Sequence, residues 1–146
     1  MTGNRETIAI ASDHAGFELK ETLKGVLNEL EFTPLDLGTN GSASVDYPDF
    51  ADRLAAALAD GKARRGVLVC GTGIGISIAA NRHRHIRAGV VHDMTSARLT
   101  RLHNDANVLC LGARLIGSDV AKDCLRVFLG TEFEGGRHQN RVAKLG

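Results

Sequence analysis

The sequence has no tryptophan, only three cysteines and no long apolar run. No stretch approaches the roughly 18 consecutive apolar residues of a membrane-spanning helix, which excludes a protein embedded in a membrane by helices. A dominant charge is also lacking, because 18 lysines and arginines are interspersed with 17 acidic residues. The sequence therefore lacks the basic stripe that nucleic-acid binding favours, and the same balance argues against a membrane surface as partner.

The cysteines indicate the compartment rather than a metal site. Cys70, Cys110 and Cys124 are odd in number and have no metal-like spacing, so we expect free thiols in a reducing, cytoplasmic setting. No set of histidines, cysteines and acidic residues has zinc-like spacing, and no metal is predicted. The polar residues 1–6 lead directly into a strand-like run, so we expect no secretory signal.

The length and the apolar pattern predict the fold. A chain of 146 residues predicts one domain over residues 1–146, and 17 glycines indicate many tight turns. Five apolar runs alternate with helical patterns, which implies a parallel sheet covered by helices on both faces. We therefore expect a three-layer αβα, Rossmann-like (flavodoxin-like) fold. The predicted strands are 7–12, 32–37, 66–70, 86–91 and 107–111.

Polar and small residues follow four of the predicted strands. In an open parallel sheet, ligands bind beyond the carboxyl ends of the strands, so these clusters predict a binding site at that edge. The clusters are residues 12–16, 70–75, 92–93 and 112–114. The tail, residues 134–146, is more charged than the rest, and we expect it to leave the body of the domain.

The glycine-rich segment after the third strand gives the sharpest signal. Glycines at 71, 73 and 75 let the backbone approach a ligand, and the helix that follows adds a positive dipole end. Such a loop can hold a phosphate or an enolate oxygen. The alternative is a strand-to-helix turn that merely needs glycine. The spacing G-x-G-x-G matches neither the dinucleotide fingerprint nor the P-loop.

Several side chains around this loop are candidates for chemistry. Cys70 ends the strand before the loop, where a helix N-terminus favours a reactive thiolate, although a buried structural cysteine is the alternative. Asp13 and His14 could orient sugar hydroxyls and a phosphate, or could be a helix cap beside an exposed histidine. His103 closes the fourth helix and could reach the same edge, or could simply be a histidine favoured by the helix dipole.

Basic residues occur in two further places. Arg137 and Arg141 are four apart and would share one face of a helical tail. Together with Arg114 they could clamp a phosphate, whose oxygens suit guanidinium groups, or they could belong to an ordinary charged tail. His83 and His85 lie among arginines, and we interpret this segment as a solvated basic turn.

Five motifs carry a resemblance to a known family. They are residues 12–17 (SDHAGF), 46–48 (DYP), 70–81 (CGTGIGISIAAN), 101–107 (RLHNDAN) and 134–138 (EGGRH). Together they resemble the type B ribose-5-phosphate isomerases, which belong to the RpiB/LacAB sugar-phosphate isomerases. The likeness runs nearly end to end, and several of the motifs are long.

The resemblance implies a homodimer, or a dimer of dimers, whose active sites are shared between subunits and reached by the tail of the partner. It implies that Cys70 moves the proton between C1 and C2 and that His103 opens the sugar ring. Some members use a glutamate a few positions later, but the corresponding position here, near Gly75, is not acidic. The implied substrate contacts are Asp13, His14, Gly71, Thr72, Gly73, Ile74, Gly75, Asn104, Arg114, Arg137 and Arg141, with His14 and the arginines on the phosphate and with Tyr47 and His138 as weaker assignments.

The function expected from this resemblance is interconversion of ribose 5-phosphate and ribulose 5-phosphate through an enediolate, without a metal or an organic cofactor. One alternative keeps the scaffold and acts on allose or galactose 6-phosphate. Another is a nucleotide-binding regulatory module, for which Asp93 lies about twenty residues beyond the glycine turn. A non-catalytic dimer is a third alternative, but it leaves the polar sheet edge unexplained.

Overall fold

Strands and helices alternate up to the last two helices, which follow each other directly, in the described chain, residues 4–146 of a computed structural model. The strands are β1 (Thr7–Ser12), β2 (Thr33–Asp36), β3 (Arg65–Cys70), β4 (Ala88–Val90) and β5 (Val108–Gly112). The helices are α1 (Phe17–Glu29), α2 (Tyr47–Ala59), α3 (Ile74–Ala80), α4 (Met94–Asn104), α5 (Ser118–Gly130) and α6 (His138–Ala143). Within these residues, no helix combines the length and apolarity needed to cross a bilayer.

The sheet has the order β2-β1-β3-β5-β4, and every described pair is parallel. The predicted five-stranded parallel sheet with helices on both faces is therefore confirmed. In flavodoxin-like sheets the order is 2-1-3-4-5, whereas here β5 lies between β3 and β4. All residues of β5 are buried, while the three residues of β4 are only partly buried. The short, half-exposed β4 suits the edge, because a long exposed edge strand invites pairing with other chains.

Alternating side chains divide the core into two layers. One face of the sheet packs on α1, α4 and α5, and the other packs on α2 and α3. The first face carries Ile8, Ile10, Val67, Val69, Leu109 and Leu111. The second face carries Ala9, Ala11, Leu68, Cys70, Val108 and Cys110. Since side chains alternate along a strand, the register that buries Leu68 also turns Cys70 towards α2 and α3.

The carboxyl ends of the three central strands are joined by backbone hydrogen bonds. Asp13 after β1 donates its N–H to Val69 of β3 at 3.2 Å. Beyond β3 and β5, Ala113 donates to Cys70, and Arg114 donates to Gly71, both at 2.9 Å. These bonds fix the loops relative to one another at the sheet edge where a binding site is predicted.

The tail differs from its prediction. The sequence predicts that residues 134–146 leave the body of the domain, but α6 packs against α4 of the same chain. The N–H of Glu134 donates to the carbonyl of Leu102 at 3.2 Å, which attaches the tail to the last turn of α4. His138, the first residue of α6, is 5% exposed and supplies the apolar ring face that this packing needs.

Candidate active site

The thiol of Cys70 lies between the apolar core and the glycine loop. The residue is 4% exposed and belongs to the apolar cluster that faces α2 and α3. Its Sγ accepts a hydrogen bond from the N–H of Gly73 at 3.1 Å. The sulfur therefore contacts the loop directly and is not enclosed by apolar packing alone.

At each of the three loop glycines, a Cβ atom would lie very close to a different neighbouring group. Gly73 has φ of 78°, and a Cβ there would lie 2.9 Å from the backbone of Leu111. A Cβ on Gly71 would lie 3.2 Å from the guanidinium of Arg114. A Cβ on Gly75 would lie 2.7 Å from the ring of Tyr47. Gly73 thus makes the turn, while the other two glycines admit Arg114 and Tyr47 to the two sides of the loop.

The loop offers fewer free N–H groups than the spacing alone predicts. The N–H of Gly73 is donated to Cys70, and the N–H of Ile74 is donated to the hydroxyl of Thr72 at 3.1 Å. Helix α3 has only seven residues, so its dipole is that of two turns. Any anion held here must rely on the remaining backbone donors and on Arg114.

Asp13 and His14 are fixed at the end of β1 by local hydrogen bonds. Oδ1 of the buried Asp13 accepts the N–H of Gly16 at 3.1 Å. Nδ1 of His14 accepts the N–H of Val45 at 3.2 Å. Because a backbone N–H can only donate, the neutral imidazole must carry its hydrogen on Nε2. The ring of His14 therefore has a defined donor at its other end.

A second group of predicted residues gathers around the end of α4. The rings of His103 and His138 stack with centroids 4.4 Å apart and an interplanar angle of 21°. A cavity of about 290 Å³ lies beside them. It is lined by His103, Asn104, His138, Arg141, Val142 and Leu145. Nε2 of His138 lies 3.2 Å from Oε1 of Glu134, but it is buried and makes no hydrogen bond, because the angles are unsuitable.

These two groups lie at opposite ends of the strands, one at the carboxyl ends and the other at the amino ends. We name Asp13, His14, Tyr47, Cys70, residues 71–75 and Arg114 the carboxyl-edge cluster. We name His103, Asn104, Arg137, His138 and Arg141 the amino-edge cluster.

The strand register gives the distance between the two clusters. Cys70 pairs with Gly112 at one end of β5, whereas Val108 at the other end pairs with Gly66. Four residues of strand separate the two ends, about 13 Å, and Asn104 lies beyond Val108. The expectation that His103 reaches the same edge as Cys70 is therefore wrong within one chain. Helix α4 runs from the carboxyl end of β4 back to the amino end of β5, so its last residues must lie at the amino edge.

Comparison with known proteins identifies the family. The family model described as Ribose/Galactose Isomerase matches residues 8–145. This chain belongs to the ribose/galactose isomerase family. Ribose-5-phosphate isomerase B of Escherichia coli is 47% identical over 135 residues, covering 92% of this chain and 91% of that protein. D-erythrulose-4-phosphate isomerase of Pectobacterium atrosepticum is 43% identical over 141 residues, with coverage of 96% and 93%.

Solved structures show the same likeness in three dimensions. The crystal structure of a ribose 5-phosphate isomerase from Thermotoga maritima has a TM-score of 0.94 and 48% identity, covering 97% of this chain and 98% of that one. The resemblance carried by the five motifs is thus confirmed for the ribose/galactose isomerase family as a whole. The roles of individual residues stay predictions.

Two other features bear on the alternatives to this isomerase family. Asp93, the candidate ribose-binding acid of a nucleotide site, caps α4 by accepting the N–H of Ser96 at 2.7 Å, and this hydrogen bonding lowers its pKa.

The histidines of the basic segment contact α2. His83 contacts Asp52 at 2.8 Å, and His85 contacts the carbonyl of Ala55 at 2.8 Å. The basic segment predicted to be solvated is therefore attached to α2. It also borders a cavity of about 510 Å³ beside β4, away from Cys70.

Metal ligation finds no support among residues 4–146. No group of three or more histidine, cysteine, aspartate or glutamate side chains is placed there to hold an ion. The side chains at the two clusters carry imidazole, guanidinium, hydroxyl and amide groups, together with one thiol and one carboxylate. That set is suited to binding a phosphate and to moving protons.

Proposed function

We propose that this chain is a ribose-5-phosphate isomerase that works as a homodimer or a dimer of dimers. Each active site combines the carboxyl-edge cluster of one subunit with the amino-edge cluster of its partner. The observation that carries this proposal is the separation of Cys70 from His103 in one folded chain. A second copy supplies the missing half, and the name of the Escherichia coli relative supports the pentose phosphate as substrate.

Ring opening and proton transfer divide between the clusters. His103 of one subunit protonates the ring oxygen of the furanose as its bond to C1 breaks, and Asp13 of the other subunit accepts the proton that O1 loses, which leaves the open-chain aldehyde. The Cys70 thiolate removes the proton from C2, giving an enediolate, and the proton is returned to C1. O1 gains a proton and O2 loses one, so ribulose 5-phosphate forms without any net redox change. Positioned proton transfer of this kind contributes roughly 10²–10⁴-fold to the rate.

Charge develops on the enediolate oxygens beside the loop of residues 71–75. A backbone donor aimed at such an oxygen is typically worth about 3–4 kcal/mol of the barrier. Because the N–H groups of Gly73 and Ile74 are already hydrogen-bonded within the loop, we assign the stabilisation of this charge to the other N–H groups of the loop and to the Thr72 hydroxyl. Arg114, on the Gly71 side of the loop, also attracts the negative charge.

The phosphate lies far from the reacting carbons and anchors the substrate. Its contacts come from both clusters. His14 and Arg114 belong to one subunit, and Arg137 and Arg141 belong to the other. The phosphate is therefore bound at the boundary between the two subunits. Tyr47 and His138 border the sugar on the two sides. Binding energy from a remote phosphate can be used to orient C1 and C2 in front of the base.

A coupled assay of ribose 5-phosphate isomerisation in EDTA tests this proposal. We expect wild type to be active, Cys70→Ala to lose about 10²–10⁴-fold in turnover of open-chain substrate, and His103→Ala to lose most on the cyclic form. Equal activity of Cys70→Ala and wild type would remove the assigned base. Cys110→Ser, a change at a buried thiol of the neighbouring strand, is the matched control.

A substrate panel separates the related alternatives. Allose 6-phosphate, galactose 6-phosphate and D-erythrulose 4-phosphate are compared with ribose 5-phosphate by kcat/KM, and we expect the pentose to be highest. The tetrose is included because a relative carries that name. Thermal stabilisation by ATP or NAD, but not by pentose phosphates, would instead favour the nucleotide-binding module.

We also infer a cytoplasmic location and one domain over residues 1–146. The three cysteines are free and buried, which suits a reducing compartment because such compartments keep thiols reduced. The two apolar layers cover opposite faces of one sheet. A chain that stays at full length during limited proteolysis would support the single domain.

A further inference from the structure

A lysine is completely buried beside the end of β2. The side chain of Lys20, in α1, is 0% exposed. Its Nζ lies 2.7 Å from Oδ2 of Asp36 and 2.8 Å from Oε2 of Glu21. The ring of Phe17 lies 5.2 Å from the same nitrogen. Burying a cation is unfavourable unless it is paired, so a lysine here implies a task that an apolar residue cannot perform.

Asp36 passes the effect of this cation to the loop that follows β2. Its second oxygen, Oδ1, accepts the N–H of Gly38 at 2.9 Å. Lys24 donates a further hydrogen bond to Oδ2 at 2.8 Å. Burial opposes the ionisation of Asp36, but the hydrogen bonds from Lys20, Lys24 and the Gly38 N–H outweigh it and lower the pKa of this carboxyl. The carboxylate therefore stays charged and holds Gly38.

The loop after β2 continues the pairing with β1 beyond the end of β2. Ser12 donates its N–H to the carbonyl of Gly38 at 2.8 Å, and Thr39 donates its N–H to the carbonyl of Ser12 at 2.8 Å. Ser12 is the last residue of β1 and directly precedes Asp13 and His14. An unbroken series of polar contacts thus connects the buried ammonium with the backbone that carries these two side chains.

We propose that Lys20 is a positioning residue of the carboxyl-edge cluster: through Asp36 and the Gly38 backbone it fixes the end of β1 that carries Asp13 and His14. The inference rests on the proposed function, which makes those two residues substrate contacts. Lys20 itself touches no substrate. Its removal affects binding because the imidazole and the carboxylate lose their alignment with the sugar phosphate.

The variant Lys20→Met removes the charge and keeps the length of the side chain. Lys24→Met is the matched control, since it takes a partly exposed cation from the same carboxylate. We expect kcat/KM of Lys20→Met on ribose 5-phosphate to fall about 10²-fold, mainly through a raised KM. We expect Lys24→Met to stay within about threefold of wild type. A purely structural role lowers the folded fraction and hence apparent kcat, and leaves KM unchanged.

Amide hydrogen exchange gives a readout that does not depend on activity. We expect the amides of Ser12 and Thr39 to exchange about tenfold faster in Lys20→Met, while Leu109 in β5 keeps its wild-type protection. If wild type does not isomerise ribose 5-phosphate, the proposed function fails, and exchange still decides whether Lys20 holds the loop. Unchanged exchange together with an unchanged KM overturns the proposal.

A second variant covers the case in which Lys20→Met does not fold. Lys20→Met combined with Asp36→Leu removes both members of the buried ion pair and also the oxygen that accepts the N–H of Gly38. A raised KM of this double variant, with wild-type protection in β5, supports the positioning role. A KM equal to that of wild type overturns it.

Discussion

At the scale of single residues, the three cysteines occupy different environments. Cys110 is fully buried within β5, and burial, reinforced by the neighbouring Cys70, raises the pKa of its thiol. Burial also raises the pKa of Cys124, inside α5, to about 11. Only Cys70 has its sulfur in contact with a polar loop. Since the thiolate is the reactive form of cysteine, these environments predict different reactivity.

We expect iodoacetamide at pH 8 to modify Cys70 well before the other two thiols. Both raised pKa values keep Cys110 and Cys124 protonated at that pH, because a thiol whose pKa lies above the pH holds its proton. Peptide mass spectrometry over time measures the three rates, and ribose 5-phosphate should protect Cys70. Cys110→Ser, as control, should leave the labelling unchanged. Labelling of Cys124 at the same rate as Cys70 would contradict this expectation.

At the scale of elements, some features follow from the sequence and others do not. The run TIAIAS predicts β1 at its observed bounds, because a continuous apolar run of that length suits a strand buried on both faces. The pattern over 86–91 predicts a longer β4 than the observed Ala88–Val90, since apolar content does not distinguish an edge strand from the turn before it.

The sequence predicts contacts between residues that are close along the chain, but it does not predict the contacts that depend on the direction in which a helix runs. The glycines beside Cys70 predict a loop that contacts its sulfur, as the N–H of Gly73 does. The motif around His103 gives no indication of which end of the sheet it reaches, although the direction of α4 settles it. Lys20 is missed altogether, because its partner Asp36 is distant in sequence and lysines on a helix are normally exposed.

Two glycines in different elements predict opposite effects of alanine. Gly73→Ala places a Cβ against the backbone of Leu111 at a positive φ, so we expect a loss of about 1–3 kcal/mol in the free energy of unfolding. Gly25→Ala, on the exposed face of α1 with nothing near its Cβ position, should add about 0.5–1 kcal/mol. Urea unfolding of both variants measures this contrast, and equal stabilities would refute it.

At the scale of the whole molecule, the path of the chain through the sheet determines how an active site can be assembled. Inserting β5 between β3 and β4 brings the carboxyl ends of β1, β3 and β5 together. Because β4 and β5 are parallel, the helix α4 that connects them runs back to the opposite end of the strands. The tail then packs on α4, so His138 and Arg141 accompany His103. Under the proposed division of roles between Cys70 and His103, a complete site requires two chains.

Mixing two inactive variants tests this shared site. Cys70→Ala and His103→Ala, unfolded together and refolded as a mixture, should recover about a quarter of wild-type activity, because half of the dimers are mixed and each has one intact site of two. Either variant refolded alone is the control and should stay nearly inactive on the cyclic substrate. If both residues acted from the same chain, mixing would restore nothing.

The position of the α4 end has a further consequence for how the protein responds to its own concentration. Under the proposed function, a folded single chain holds only one half of each active site and is inactive, so turnover begins when two chains associate. At high dilution, activity per milligram should fall as subunits separate, while circular dichroism stays constant. The number of assembled sites would then rise more steeply than linearly with the abundance of the protein, and the parallel connection from β4 through α4 to β5 would be the origin of that steepness.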